Sequence, residues 1–252
     1  HAEQHRVHAC ASARELAAQA SLVVSAVTAS NALAVARDVA QGIKPGTFFL
    51  DLNSASPGTK QQAAALIDAA GGHYVEAGVM TSVPPYGVRV PMLLGGPHAA
   101  ELAPRLTGLG MDVQVVSPQA GVASATKMCR SIMIKGLEAL VLESYTTARH
   151  YGVEDAMIAT LQETFPGIDW TRQGAYFFSR VAQHGKRRAE EMREVANTVR
   201  EAGFEPFMAL ATADKQQWVA DQAAQGVFQH LPKDATWQDY ADCLLAARRQ
   251  GV

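Results

Sequence analysis

The chain carries little that would tie it to an oxidising compartment, a metal ion, a membrane or a polyanion. Its three cysteines, Cys10, Cys129 and Cys243, are odd in number and widely spaced, with no Cys-x-x-Cys, which offers neither a disulfide framework nor a zinc knuckle. The eight histidines include no His-Glu-x-x-His or similar pairing. No apolar run approaches the ~18 residues of a membrane helix, and the start lacks the basic-then-apolar layout of a signal peptide. Lys and Arg number 22 against 24 Asp and Glu, a formal charge of -2, and no run of five like charges occurs, so a basic field for nucleic acid is missing. There is no internal repeat and no low-complexity segment. These absences lead to the expectation of a cytoplasmic protein with no nucleic-acid and no membrane partner.

What is present is an ordinary globular composition, 252 residues with 48% hydrophobic and 18% charged, enough for one large or two small cores. The first half alternates apolar runs with helical patterns. Strands are expected at Leu22 to Val27, Thr47 to Asp51, His73 to Ala77, Val90 to Leu94 and Val113 to Val116, with helices over Asn31 to Gln41 and Pro57 to Ala70. Such alternation predicts a mostly parallel sheet with crossover helices. From about Gln119 the strand signal stops. Helices are expected over Ala120 to Tyr151, Glu154 to Thr164, Gln173 to Ala202, Ala209 to Ala224 and Trp237 to Arg249, punctuated by Pro166-Gly167, Gly203 with Pro206, and Leu231-Pro232. The fold class is therefore α/β then all-α, with an α/β domain over residues 1–118 and a helical domain over residues 119–252.

The helix containing Ala125 to Glu143 is apolar almost all round except for one stripe. At ~100° per residue, Lys127, Ser131, Lys135 and Glu138 share a wedge of roughly 80°, while Met128, Ile132, Met133, Leu137 and Leu140 cover the rest. An unpaired ammonium in a dry core is costly, so the stripe is expected to line a cleft where the two domains join.

Ligands of open parallel sheets bind beyond the carboxyl ends of the strands. Three loops leave strands there: Thr28 to Asn31, Asn53 to Ser56, and Val79 to Gly87. Ser30 and Ser56 are expected as helix caps, with ligand contact the alternative, whereas Asn53 and Ser54 lie just past the strand and suit either role. Pro84, Pro85 and Gly87 stiffen and shape the third loop, on which Thr81 and Ser82 offer hydroxyls. A later helix carries Arg180, His184, Arg187, Arg188 and Glu191 at spacings of three and four, a face that could meet a carboxylate or phosphate; the favoured expectation is that Glu190, Glu191 and Glu194 satisfy the arginines locally on a solvated face. The aromatics Trp170, Phe177, Phe178, Trp218, Trp237 and Tyr240 are read as core or subunit contacts.

Asp51-Leu-Asn-Ser-Ala-Ser-Pro57, then Glu76-Ala-Gly-Val-Met-Thr-Ser82 ahead of Gly95-Gly96, then Gly121-Val-Ala-Ser-Ala-Thr-Lys127 opening a long helix, resemble three successive signatures of the β-hydroxyacid dehydrogenase family related to 6-phosphogluconate dehydrogenase. Val-Pro-Pro-x-Gly and Lys-Met-x-Arg-Ser-x-x-x-Lys-Gly-x-Glu-Ala are similar to a subgroup with an uncharacterised helical C-terminal domain. The resemblance runs from about Ala20 to Leu210 and implies a partial Rossmann-like parallel sheet followed by a helical C-terminal domain. It further implies NAD- or NADP-linked oxidation of a small hydroxy acid or related alcohol, and a homodimer formed through the helical domain. Lys127 falls at the family's catalytic lysine, with Thr81, Ser82, Ser131, Lys135, His184 and Arg188 toward substrate and Thr28, Asn53 and Ser54 toward cofactor. A lysine moves the hydroxyl proton only if its pKa is lowered toward neutrality; burial and Lys135 push it down, and Glu138 pushes back.

Two departures stand out. Ser131 replaces the asparagine usual four residues after the lysine. No Gly-x-Gly-x-x-Gly turn occurs anywhere, and Gly108-Leu-Gly110 precedes a strand, the wrong context for a phosphate turn. The chain begins in what resembles the third strand region of the nucleotide fold, Arg6 to Ala9, so a first βαβ unit of roughly 50 residues is expected to be missing from it. The competing expectation is a helical dimer scaffold or small-ligand binder without enzymatic activity; an imine or keto-acid reductase on the same frame is a third.

Overall fold

The computed structural model describes Gln4 and residues 7–249. The chain divides into two compact units, His1–Arg130 with Glu194–Glu205, and Ser131–Arg193 with Pro206–Val252.

In the first unit, helix α1 (Ala13–Ala17) precedes strand β1 (Leu22–Ser25), helix α2 (Ala32–Ala40), strand β2 (Phe48–Asp51), helix α3 (Pro57–Ala69) and strand β3 (His73–Val79). A short turn α4 (Val83–Tyr86) and a 3₁₀ turn (Gly87–Arg89) lead to β4 (Met92–Gly95), α5 (Ala99–Gly108) and β5 (Val113–Ser117). The strands lie in sequential order in one sheet, parallel at β1–β2, β2–β3 and β4–β5 and antiparallel at β3–β4. The antiparallel step follows from the connection: Met80 to Pro91 turns back through short helical turns, with no crossover helix to restore direction. The five expected strands form within one or two residues of their expected bounds. The strand region expected at Arg6 to Ala9 is not formed at Val7, His8 and Ala9, where Val7 is 61% exposed and has no buried face; Arg6 lies outside the described residues.

Period-two alternation sets the two faces. Phe49 packs with Val23, Ala36, Val39, Ile67 and Tyr74 on one side of the sheet, while Phe48 and Leu50 pack with Val75, Leu94, Leu102 and Leu106 on the other. All four residues of β2 are buried, as a strand covered on both faces requires. Helix α5 is new relative to the sequence reading: Ala99, Leu102 and Leu106 give it a buried stripe, but Pro104 inside it and Gly108 at its end mask the pattern.

Helix α6 (Val122–Tyr151) gives residues through Arg130 to the first unit and the remainder to the second. The second unit continues with α7 (Glu154–Thr164), α8 (Trp170–Glu201), whose last turns from Glu194 belong to the first unit, α9 (Phe207–Ala224) and α10 (Trp237–Arg249). Its core joins Val141, Leu142 and Tyr145 to Trp170, Phe177, Phe178, Val181, Val219, Trp237, Tyr240 and Leu244. Of the aromatics read as core or subunit contacts, Trp170, Phe177, Phe178, Trp237 and Tyr240 lie in this core, and Trp218 is 44% exposed. No helix among the described residues is long and apolar enough to cross a membrane.

Candidate functional site

Because β1, β2 and β3 run parallel, the loops that follow them emerge at one end of the sheet. Asn53 ties the first two together. Its Oδ1 accepts from Val27 N at 2.7 Å and its Nδ2 donates to Ser25 Oγ at 2.8 Å, so the amide is spent on bridging the two strand ends and is 3% exposed. Beneath it Asp51 is 1% exposed and accepts from Lys60 Nζ at 2.8 Å, Tyr74 Oη at 2.9 Å and Asn53 N at 2.9 Å. A buried carboxylate is tolerable only with this many donors. Burial, with Asp51 beside it, holds the Tyr74 phenol well above its ordinary range.

Ser54, one residue on, accepts from Lys127 Nζ at 2.6 Å. The lysine thus reaches the strand-end loop rather than solvent, and it is half-buried. Two features of β3 put it there. Glu76, fully buried, accepts from Gly121 N at 2.8 Å, Ala123 N at 2.9 Å and Ser124 N at 3.3 Å, so a carboxylate from the sheet satisfies the first amides of α6 and complements its dipole. Gly78 lets the helix come close: a Cβ there would lie 3.1 Å from Ala123 O and 3.6 Å from Lys127 Cβ. Neither residue was assigned a role from the sequence. The signal for Glu76 was available, a carboxylate in the middle of a mostly apolar strand, which must find donors.

Thr28 is exposed and shares hydrogen bonds with Ser30 Oγ at 3.1 Å and Asn31 Nδ2 at 3.0 Å. Ser30 lies inside the 3₁₀ turn Ala29–Asn31 and does not open a helix, whereas Ser56 caps α3 by accepting from Thr59 N at 3.2 Å. The remaining amides at that helix start meet carboxylates of α8: Ser56 N donates to Glu194 at 2.8 Å and Gly58 N to Glu201 at 2.9 Å. Thr81 is exposed beyond the carboxyl end of β3, and Ser82 opens the turn that follows.

In the second unit the polar stripe of α6 turns out buried. Ser131 is 7% exposed, Lys135 7% and Glu138 1%, while Met133 is 73% and Leu140 55% exposed on the apolar remainder of the helix. Pairing makes this possible. Lys135 Nζ bonds Glu191, which also accepts from Arg187; Arg188 bonds Glu138, which accepts from Gln216 Nε2 at 3.3 Å. The expectation that Lys135 and Glu138 line an open cleft is corrected accordingly: both are internal members of an ionic lattice. Glu191 offsets the charge of Lys135, so Lys135 is not a bare cation available to tune a neighbour. Burial still pushes the Lys135 ammonium below its ordinary range, with Glu191 drawing it back and Arg188 and Arg187 adding to the lowering. His184 is likewise lowered, by burial first and then by Arg180, Arg187 and Arg188. Arg188 Nε and Gln216 Oε1 are buried without hydrogen-bond partners, unused capacity inside the lattice. A groove in the same unit, lined by Thr146, His150, Trp218, Gln222 and Arg248, contains none of the candidate catalytic, substrate or cofactor residues.

Residues 1–111 match the NAD binding domain of 6-phosphogluconate dehydrogenase, and residues 148–219 match a domain of unknown function. A conserved hypothetical protein of Sinorhizobium meliloti is 38% identical, with 98% of this chain and 81% of that one covered and a TM-score of 0.78. A conserved protein of unknown function, described as structurally similar to 3-hydroxyacid dehydrogenases, is 29% identical over 88% of this chain and 84% of its own, with a TM-score of 0.66. The fold is shared with 3-hydroxyisobutyrate dehydrogenase of Mycobacterium tuberculosis, at 18% identity, 96% and 86% coverage and a TM-score of 0.64.

Proposed function

The chain belongs to the β-hydroxyacid dehydrogenase family related to 6-phosphogluconate dehydrogenase, and from that premise we propose that it transfers hydride between a nicotinamide cofactor and a small hydroxy acid or related alcohol, with Lys127 as general acid/base. The cofactor class is NAD or NADP. The observation that carries the reading is the Lys127 Nζ to Ser54 Oγ bond at the carboxyl ends of parallel strands, where an open α/β sheet takes its ligand.

The loops fit a dinucleotide in kind. Thr28 and Ser54 present small hydroxyls, and Asn53, its own amide committed, supports the platform on which they stand. When bound, the nicotinamide supplies the hydride acceptor. The chain's part in oxidation is then to receive the proton of the substrate hydroxyl at Lys127 Nζ as the C–H bond gives up hydride, and to return that proton in the reverse direction. This requires a neutral amine at the start, oriented by Ser54. Thr81 and Ser82 would hold the polar end of the substrate from the loop after β3. Ser131 and His184 complete the proposed substrate set, while Lys135 and Arg188, buried and committed to Glu191 and Glu138, serve that set as internal supports and not as direct contacts. In this reading residues 1–118 are the dinucleotide-binding domain and residues 119–252 the substrate and dimerisation domain. The exposed Met133 and Leu140 on α6 support a homodimer.

The test is turnover by the full-length protein across a panel of small hydroxy acids with both cofactors, compared with Lys127→Met. Loss of about 10²-fold or more in kcat, with the fold and dinucleotide fluorescence titration unchanged, is expected. Near-normal turnover in the variant would refute the assigned role. Absence of any NADH or NADPH binding by the unaltered protein would favour the non-enzymatic scaffold instead.

A further inference from the structure

At the amino end of β3 stands a cluster that the proposed chemistry does not use. His73 begins the strand, His98 is the N-cap of α5, and Glu101 follows three residues later on the same helix face. The His73 and His98 rings stack with centroids 3.9 Å apart and planes 2° from parallel. Glu101 Oε2 lies 4.0 Å from His73 Nδ1 and 3.7 Å from His98 Nδ1, and one ligand atom from each residue lies within 4.8 Å of the other two. His73 Nδ1 is buried and has no hydrogen-bond partner. The strand is seven residues long, so at ~3.3 Å each the cluster sits roughly 20 Å from the end that leads to Thr81.

We propose that His73, His98 and Glu101 form a binding site for a divalent transition-metal ion of the zinc class. Two imidazole nitrogens and a carboxylate oxygen are a borderline donor set that suits zinc and its neighbours and is too nitrogen-rich for calcium or magnesium. Around zinc, with bonds of about 2.0–2.1 Å, neighbouring ligand atoms in a tetrahedron stand roughly 3.3 Å apart, so the two Glu101 separations must contract by about half an ångström and the two imidazole nitrogens, within 4.8 Å of one another, must close as well. Glu101, 62% exposed, has the freedom to supply that movement. Imidazole lone pairs lie in the ring plane, so binding also turns at least one ring out of the parallel stack. Phe48 meets the His73 ring edge-on at 5.2 Å and steadies it, which leaves His98 as the ring that rotates. Both histidine side chains are 30% exposed, and the open side admits water as the remaining ligand. A proton competes for the same nitrogens, so affinity must fall with acidity.

The full-length protein carrying Cys10→Ser is titrated with zinc chloride by calorimetry, because His8, Cys10 and Glu15 form a second group whose ligand atoms lie within 4.8 Å of one another. Uptake of one zinc per chain is expected, weakened at least about tenfold by His98→Ala, by His73→Ala and by lowering the solution from about pH 7.5 to about pH 5.5. Glu101→Gln, which keeps shape and removes charge, should weaken binding with no change in the far-ultraviolet spectrum. No zinc uptake by the Cys10→Ser protein, or uptake that neither histidine variant alters, overturns the proposal.

Discussion

Replacing Glu76 by Gln tests how the start of α6, and with it Lys127, is held. The substitution keeps the volume and removes the charge. A glutamine oxygen placed where Oε1 now lies can still accept from Gly121 N and Ala123 N, but as neutral bonds, losing about 1 kcal/mol each relative to charge-assisted ones. Its amide group would then face Ser124 N, donor against donor, leaving a buried amide unsatisfied at about 1–3 kcal/mol. Gly95 limits any escape, since a Cβ at that position would lie only 2.5 Å from Glu76 Oε1 and the surroundings are correspondingly tight. The sum is a destabilisation of about 3–5 kcal/mol, which at roughly 2–4 °C per kcal/mol lowers the melting transition by about 6 °C or more. Urea and thermal unfolding of Glu76→Gln measure this, with the exposed Glu163→Gln as control. A loss under about 1 kcal/mol would mean that Glu76 is not what organises the helix start.

Gly78→Ala places a methyl group 3.1 Å from Ala123 O, and the helix must yield by a few tenths of an ångström; kcat should drop about tenfold or more with a stability change under about 2 kcal/mol, read by turnover alongside unfolding. Ser54→Ala removes the acceptor of the Lys127 bond and should lower kcat more than it raises KM, since the serine positions the amine. Arg188→Met removes the guanidinium from buried Glu138 and leaves it the Gln216 amide, and should destabilise the protein by about 3 kcal/mol in urea unfolding. His184 has a folded-state pKa below its unfolded value, so the unfolded chain binds the proton more readily: its contribution is neutral above the unfolded pKa and turns destabilising as pH falls through that value toward the folded pKa. Stability measured downward from pH 7 should therefore decline less steeply in His184→Asn than in the unaltered protein.

The order of elements was legible because each relied on local periodicity. The apolar run of β2, the capping Ser56 with Pro57 behind it, and the identical bounds of α7 in sequence and structure all reflect residues that decide their conformation among near neighbours. α5 was hidden by Pro104, and the antiparallel β3–β4 pairing was invisible because hydrogen-bond direction depends on the path of the connecting loop rather than on strand composition.

For the site, the sequence by itself singled out Lys127, Lys135, Glu138 and Arg188 as charges that an apolar helix or a long amphipathic one had to accommodate. Only the tertiary structure decided their partners. Whether a charge lines a cleft or lies in a lattice depends on what faces it from residues far along the chain: Ser54 for Lys127, Glu191 for Lys135, Glu138 for Arg188. Helical spacing fixes which side of an element a group occupies, whereas Coulomb energy and desolvation depend on distances to groups that only folding brings near.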